Sequence, residues 1–156
     1  WSEFIDYDKK QIELIGVEAG GPKGSRLHAA PLSRGAKLGI LHGAAAYVCQ
    51  NTEGQINKTE SISAGLDYPG VSPIHCFLKD TKRATYVSVT DEEALKAYKL
   101  VTKFEKIKPS LEPSHAFATA IKIAPKLKKD TVIIVNSCGD AKKDRDILKA
   151  RLGKVK

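Results

Sequence analysis

Three polar segments hold the residues of this sequence that could do chemistry. Residues 136–140 combine small side chains with a thiol, residues 111–115 contain a carboxylate, a hydroxyl and an imidazole, and residues 61–72 hold Asp67 among glycines. Carboxylates and imidazoles can hold or move protons, and small residues let a ligand approach the backbone. Each segment is also typical of a surface turn with capping side chains, so residue types alone leave both interpretations open.

Strands must bring these segments together. The apolar, β-branched runs at residues 12–17, 84–89 and 131–135 predict strands, the last being the clearest buried strand, and residues 38–50 predict a strand or tight backbone packing. Strand and helix alternate over the second half, which predicts an α/β fold with βαβ units and a mainly parallel sheet flanked by helices. Ligands bind at the carboxyl ends of strands in such sheets, and residues 136–140 directly follow such a strand.

A capping box predicts where the main helix begins. Thr90 followed by Glu93 allows each residue's side chain to bond the other's backbone at the helix start. The predicted apolar stripe of this helix consists of Leu95, Tyr98, Leu100, Val101 and Phe104. Other predicted helical segments are residues 73–78, a helix from about Ser114 to Pro125, a basic helix from about Asp144, and a helix tail containing Trp1, Phe4 and Ile5.

Composition predicts one soluble globular domain. The chain has 156 residues, 42% of them hydrophobic, and its 26 Lys and Arg against 18 Asp and Glu give a net charge of +8. This length allows a sizeable core, and the apolar runs are far shorter than the ~20 residues of a membrane-spanning helix. We therefore expect no membrane partner, and no secretory signal is recognisable.

The rarer residues add three expectations. The three cysteines, Cys49, Cys76 and Cys138, have no metal-binding spacing and predict free thiols in a reducing cytoplasm. The four histidines are scattered, so a zinc site is not expected. Because the sequence lacks methionine and begins with Trp1, we expect a fragment of a longer chain.

Basic and glycine-rich stretches suggest anion binding only weakly. Residues 126–129 and 142–156 are basic, but no aromatic side chains are interleaved with them as in a nucleic-acid interface. Solvated charge explains them better, and we expect no nucleic-acid partner. Residues 20–24 are glycine-rich but lack both the P-loop ending and the GxGxxG spacing, which favours a plain turn.

Two long runs, SISAGLDYPGVSP and YVSVTDEEALKAY, resemble the β subunits of tryptophan synthase, a family of pyridoxal-phosphate enzymes. The resemblance continues in order through ELIGVEAGG, LGILHGA, EGQ, LEPSHA and the NSCG segment that follows the last predicted strand. It identifies residues 1–156 as a single piece, the C-terminal portion of a fold type II enzyme. The family's HK segment, whose lysine forms the Schiff base with the cofactor, has no counterpart here, nor do the GGGSN phosphate loop and the glutamate of the indole site.

The resemblance implies a set of residues around the cofactor ring. Cys138 matches a family serine that faces the pyridine nitrogen, and Ser137 takes that role if the alignment shifts by one position. A neutral, weak partner leaves this nitrogen largely unprotonated, which favours β-elimination and replacement over transamination. Gly65 would line the cofactor face, and Gly139 belongs to the same loop as Cys138. Glu112 matches the glutamate beside the ring, although it is alternatively a plain helix-start carboxylate.

The resemblance implies further roles for a second set. Asp67 matches an aspartate that engages the hydroxyl of the serine substrate or a closing arginine that this chain lacks. Tyr68 and Gly70 match positions whose backbone carbonyls help bind a monovalent cation. Leu41 and His42 match residues that gate the indole tunnel, although His42 is alternatively a partly buried loop histidine.

The activity implied for the full-length parent is that of a pyridoxal-phosphate lyase, which converts L-serine and indole to L-tryptophan and water. The implied partners are these two substrates, a tryptophan synthase α subunit and a second copy in a homodimer. Because the cofactor lysine and the phosphate loop are absent, we expect this chain to be inactive alone. The alternatives are a non-catalytic remnant or assembly piece and, on the +8 charge alone, an anion-binding domain.

Overall fold

The structure is a computed structural model that describes residues 5–6 and 11–153. Its strands are β1 (Leu14–Ala19), β2 (Lys37–Leu41), β3 (Ala44–Val48) and β4 (Ala84–Val89). Its helices are α1 (Pro73–Asp80), α2 (Asp91–Glu105), α3 (Leu111–Ile123), a short 3₁₀ helix (Ala124–Lys126) and α4 (Arg145–Leu152). The predicted α/β class with a parallel sheet is confirmed. Of the helix tail predicted at Trp1, Phe4 and Ile5, the first two lie outside the described residues and Ile5 lies in a turn.

The parallel sheet consists of β1 and β4, paired in register from Leu14 and Ala84 to Ala19 and Val89. Both ends of this pair are in the core: Leu14 and Ala84 pack with Leu78 of α1, and Ala19 and Val89 are buried at the other end. The polar loop of residues 59–70 and the start of α2 lie at its carboxyl end. There the Gly20 N–H donates to Val89 O over 2.7 Å, and the Asp91 N–H donates to Gly21 O over 3.0 Å.

Strands β2 and β3 form an antiparallel hairpin. The turn residues His42 and Gly43 both have positive φ, 50° and 78°. Positive φ at both central residues characterises the two-residue turn that matches the twist of a hairpin, and glycine adopts it without strain. The predicted strand at residues 38–50 is therefore confirmed as two strands, and His42 lies at their tip.

Helix α2 begins as predicted but buries a different face. The capping box is present, with the Thr90 N–H donating to Glu93 Oε2 over 2.9 Å and the Glu93 N–H donating to Thr90 Oγ1 over 3.4 Å. The predicted stripe is wrong at Leu100 and Phe104, which are 42% and 65% exposed. The alanines set the contact face, because the buried apolar positions are Ala94, Ala97, Tyr98 and Val101, with spacings of three, one and three residues.

We expect Thr90→Ala to lower the free energy of unfolding by about 1 kcal/mol, because it leaves an N–H group at the start of α2 without its side-chain partner. Urea unfolding would measure this loss. Thr52→Ala is the control, since Thr52 is an exposed turn residue that caps no helix. Equal losses in the two variants would contradict the prediction.

The strand predicted at residues 131–135 is wrong. This segment is irregular, and Val132 and Ile134 are 81% and 83% exposed. A continuous apolar run predicts a strand covered on both faces, but each sheet among the described residues has two strands and neither includes this segment. The βαβ unit predicted for the second half is therefore wrong as well, since the parallel pair joins β4 to the early strand β1.

Helix α3 begins at Leu111, earlier than the predicted start near Ser114. Pro113 lies in its first turn, where a missing N–H costs no helical hydrogen bond. Leu111 is fully buried and packs with Ile62, Tyr98 and Leu148, which joins α3 to the polar loop, α2 and α4. Within the described residues, no helix combines the length and apolar character needed to cross a membrane.

Candidate active site

Glu112 lies in the first turn of α3, where the helix dipole favours a negative charge. Its Oε1 accepts a hydrogen bond from the Gly65 N–H over 3.2 Å, across 47 positions of sequence. This bond joins the 111–115 and 61–72 segments, two of the three that sequence analysis selected. The position of Glu112 fits the helix-start interpretation, and the bond to Gly65 is a contact beyond its own helix.

Opposing effects act on the Glu112 carboxyl. Partial burial raises its pKa, whereas hydrogen bonds from Ser110, from its own N–H, from Ser63 and from the Gly65 N–H lower it. The hydrogen bonds outweigh burial, so the pKa of Glu112 lies below its ordinary value. Glu112 is consequently a carboxylate at neutral pH.

Gly65 and Gly139 both approach this carboxylate closely. A Cβ at Gly65 would collide with Glu112 Oε1, and one at Gly139 would lie 2.9 Å from Glu112 Oε2 and collide with Ser110 Oγ. Gly139 also has φ of +88°, which side-chain-bearing residues rarely adopt. The third segment, residues 136–140, is thus brought to the same carboxylate.

Cys138 adjoins this group through its backbone. The hydroxyl of Ser110 donates to Cys138 O over 2.9 Å, and the cysteine is exposed. Its predicted alternate, Ser137, is also exposed. The loop that carries both residues is therefore held beside Glu112 by a backbone contact.

Asp67 lies further along the same polar loop as Gly65. Its N–H donates to Ser63 O over 3.1 Å, which tightens the loop into a turn. Asp67 is exposed, and no hydrogen bond joins its carboxylate to the part of the chain that the structure describes.

The four remaining predicted site residues form a second group. The His42 and Tyr68 rings stack with centroids 6.0 Å apart and planes 13° from parallel. A Cβ at Gly70 would lie 2.6 Å from Leu41 Cδ2, and Gly70 forms an isolated bridge with Val48 of β3. The hairpin tip thus packs against residues 68–70, so the expected tunnel-gate and cation positions are neighbours.

Three residues that sequence analysis missed support the site. Ser63 is fully buried, and within the described residues its Oγ has no well-formed hydrogen bond, although it lies close enough to Glu112 to lower that pKa. Asp144 Oδ2 accepts from the Leu111 N–H over 2.7 Å, and Asp91 Oδ1 accepts from the Ile62 N–H over 3.1 Å. These carboxylates fix the start of α3 and the polar loop. They join positions 33 and 29 residues apart, so local sequence patterns carry no signal for them.

Two cavities lie elsewhere in the molecule, with volumes of about 270 and 240 Å³. They share His28, Cys49 and Asn57, and none of the sequence-predicted site residues lines them. Burial lowers the pKa of His28, and Arg34 lowers it further. Across residues 5–6 and 11–153, no three His, Cys, Asp or Glu side chains are grouped so that they could hold a metal ion.

Comparison with known proteins finds relatives over most of this chain. The tryptophan synthase beta chain of Chromobacterium violaceum is 54% identical over 134 residues, which is 85% of this chain and 34% of the relative. Those of Bordetella petrii and Bordetella parapertussis are 51% and 48% identical over 92% and 96% of this chain, or 36% and 37% of their own lengths. No family model matches. The chain spans about a third of the length of the curated relatives it matches.

Proposed function

We propose that this chain, which is homologous to part of the tryptophan synthase β chains, supplies the C-terminal part of a pyridoxal-phosphate site. In the complete protein this site joins L-serine and indole into L-tryptophan with release of water. The observation that carries the proposal is the convergence of three distant segments on Glu112, through the Gly65 N–H and the close approach of Gly139.

The residues around Glu112 offer polar groups to a cofactor. Gly65 and Gly139 let the backbone approach the Glu112 carboxylate directly, and the buried Ser63 hydroxyl is a polar group without a well-formed bond in the described chain. Pyridoxal phosphate, when bound, supplies the electron sink for loss of the serine hydroxyl. Cys138, or Ser137, would lie at its pyridine nitrogen as a neutral and weak partner.

Each remaining residue has one proposed task. Glu112, as a carboxylate beside the ring, sets the protonation of neighbouring groups, and Asp67 engages the hydroxyl of the serine substrate. The carbonyls of Tyr68 and Gly70 contribute to a monovalent-cation site. Leu41 and His42 gate the path of indole, and the His42–Tyr68 stack supports the placement of gate and cation site side by side.

The complete protein would work in the cytoplasm. Its proposed partners are a tryptophan synthase α subunit and a second copy of the β chain. The free cysteines of the described residues accord with a reducing compartment.

A second candidate function is that of a non-catalytic assembly piece completed by a separate N-terminal fragment. The exposure of Val132 and Ile134 favours this candidate, because so apolar a segment is ordinarily covered in an assembly. Mixing this chain with the N-terminal two-thirds of a relative would discriminate between the two. Tryptophan formation in the mixture supports the enzyme, whereas a stable but inactive complex supports the assembly piece.

We expect this chain alone neither to bind pyridoxal phosphate covalently nor to form tryptophan, because the family's cofactor lysine and phosphate loop have no counterpart in its sequence. Cofactor added to the purified chain should give no new visible absorption band that survives gel filtration. The matched control is the mixture with the N-terminal fragment, which should give the band. A stable band from this chain alone would contradict the expectation.

A further inference from the structure

Helix α3 is capped by a residue from another helix. Its N-cap residue, Ser110, makes no side-chain capping bond, although serine is a preferred residue there. Asp144 instead accepts from the Leu111 N–H over 2.7 Å. Asp144 is itself the N-cap residue of α4, and its side chain makes no capping bond to its own helix. Both Ser110 and Asp144 are 3% exposed, so this crossed arrangement is enclosed in the protein.

The Ser110 hydroxyl makes a bond of a different kind. An N-cap serine ordinarily uses its oxygen to accept from the helix backbone, but Ser110 donates to Cys138 O over 2.9 Å. Glu112 also lies within reach of this hydroxyl. A hydroxyl has one proton, so Ser110 can give it either to the Cys138 carbonyl or to the Glu112 carboxylate.

The space around this hydroxyl is closely filled. A Cβ at Gly139 would collide with Ser110 Oγ and lie 3.1 Å from Ser110 Cβ. The 138–139 backbone is therefore in contact with Ser110, and a Cβ at Gly139 would also lie 2.9 Å from Glu112 Oε2. Ser110 is thus the side chain that joins the start of α3 to the 138–139 backbone.

We propose that Ser110 is a positioning residue: by donating its hydroxyl proton to Cys138 O, it holds the 138–139 backbone against Glu112. This inference rests on the proposed function, since Cys138 and Glu112 are the residues proposed to flank the cofactor ring. Ser110 itself is assigned no contact with cofactor or substrate.

Other charged groups also act on Glu112 and have to be held constant in a test. His115 of α3 is fully buried, and burial lowers its pKa, while the Glu112 charge acts to raise it. Asp144, the N-cap residue of α4, is the neighbouring carboxyl, and its pKa is raised by burial and further by the Glu112 charge. Replacing Ser110 leaves both groups in place, which isolates the contribution of the hydroxyl.

The test is a carbon-13 NMR titration of the Glu112 carboxyl in this chain, with the Gly139 amide resonance recorded alongside. Ser110→Ala should shift the Gly139 amide, because the hydrogen bond to the preceding carbonyl is lost. It should also move the titration midpoint of Glu112, because the Gly139 backbone is then no longer held beside the Glu112 carboxylate. Ser110→Thr, which keeps the hydroxyl, should restore both values.

Ser72→Ala is the matched control. Ser72 is the N-cap of α1, and its Oγ accepts from the Ile74 N–H over 3.3 Å. This variant should lower Tm through loss of a capping bond but leave Glu112 and Gly139 unchanged. An unchanged Glu112 midpoint in Ser110→Ala, or an equal change in Ser72→Ala, would overturn the inference. These measurements require neither cofactor nor substrate, so their failure is distinguishable from failure of the proposed function.

Discussion

Gly21→Ala should lower the free energy of unfolding by about 2–5 kcal/mol, the sum of a left-handed backbone penalty and a steric overlap. Gly21 has φ of +71°, and a Cβ there would collide with Leu27 O and lie 3.1 Å from Glu60 O. Both neighbours are backbone atoms, so no side chain can swing away to relieve the overlap. Gly21 O also accepts from the Asp91 N–H, so displacing it disturbs the start of α2.

Gly24→Ala separates the two contributions to this loss. Gly24 has φ of +79°, but a Cβ there would meet nothing within 4 Å. It should therefore lose only the backbone contribution, about 1–2 kcal/mol. Urea unfolding of the two variants measures the difference, and equal losses would show that the overlap at Gly21 is relieved by backbone movement.

Asp144→Ala should lower the free energy of unfolding by about 1–3 kcal/mol, the cost of a buried donor left without its acceptor. The donor is the N–H of Leu111, a residue with no exposed surface, which begins the helix that carries Glu112. Asp144→Asn keeps an oxygen in the same place and should lose about 1 kcal/mol or less. If the two variants were equally destabilised, the acceptor role of Asp144 would be disproved.

The charge of Asp144 adds a pH dependence. Burial raises its pKa, the Leu111 N–H opposes this, and the Glu112 and Asp140 charges raise it further, so the net shift is upward from 3.8. An acid with a higher pKa in the folded state holds its proton more tightly there, which favours folding at low pH. This contribution is lost as the pH rises through the folded-state pKa. The stability of the wild type relative to Asp144→Asn should therefore fall over that range, and a pH-independent difference would contradict the assignment.

Local patterns predicted the elements whose causes are local. The capping box at Thr90 and Glu93 needs residues three apart, and alternation at residues 84–89 needs one half-buried strand, so both predictions are confirmed. The apolar run at residues 131–135 predicts a strand buried between other elements, but burial depends on those other elements. No described segment covers it. The exposure of Phe104 also depends on packing between elements, because the face of α2 that packs is the one with Ala94 and Ala97.

In the candidate site, too, some residues could be selected from the sequence while the contacts that hold them could not. The resemblance selected Glu112, Gly65 and Gly139, and the structure brings these three together, although their chemical roles stay predictions. The contacts that hold them there, from Asp144 and Ser110, join residues about thirty positions apart. Such contacts depend on how helices pack against one another, which no motif in a single sequence records.

The irregular segment at residues 131–135 also bears on how this chain behaves in concentrated solution. The window TVIIVN is rich in β-branched residues and contains neither charge nor proline. These are the features of segments that stack into fibrils when exposed, and Val132 and Ile134 are both exposed. Lys128, Lys129 and Asp130 immediately before the window act as gatekeepers against such stacking. We therefore expect this window to promote self-association of the chain wherever no other segment covers it.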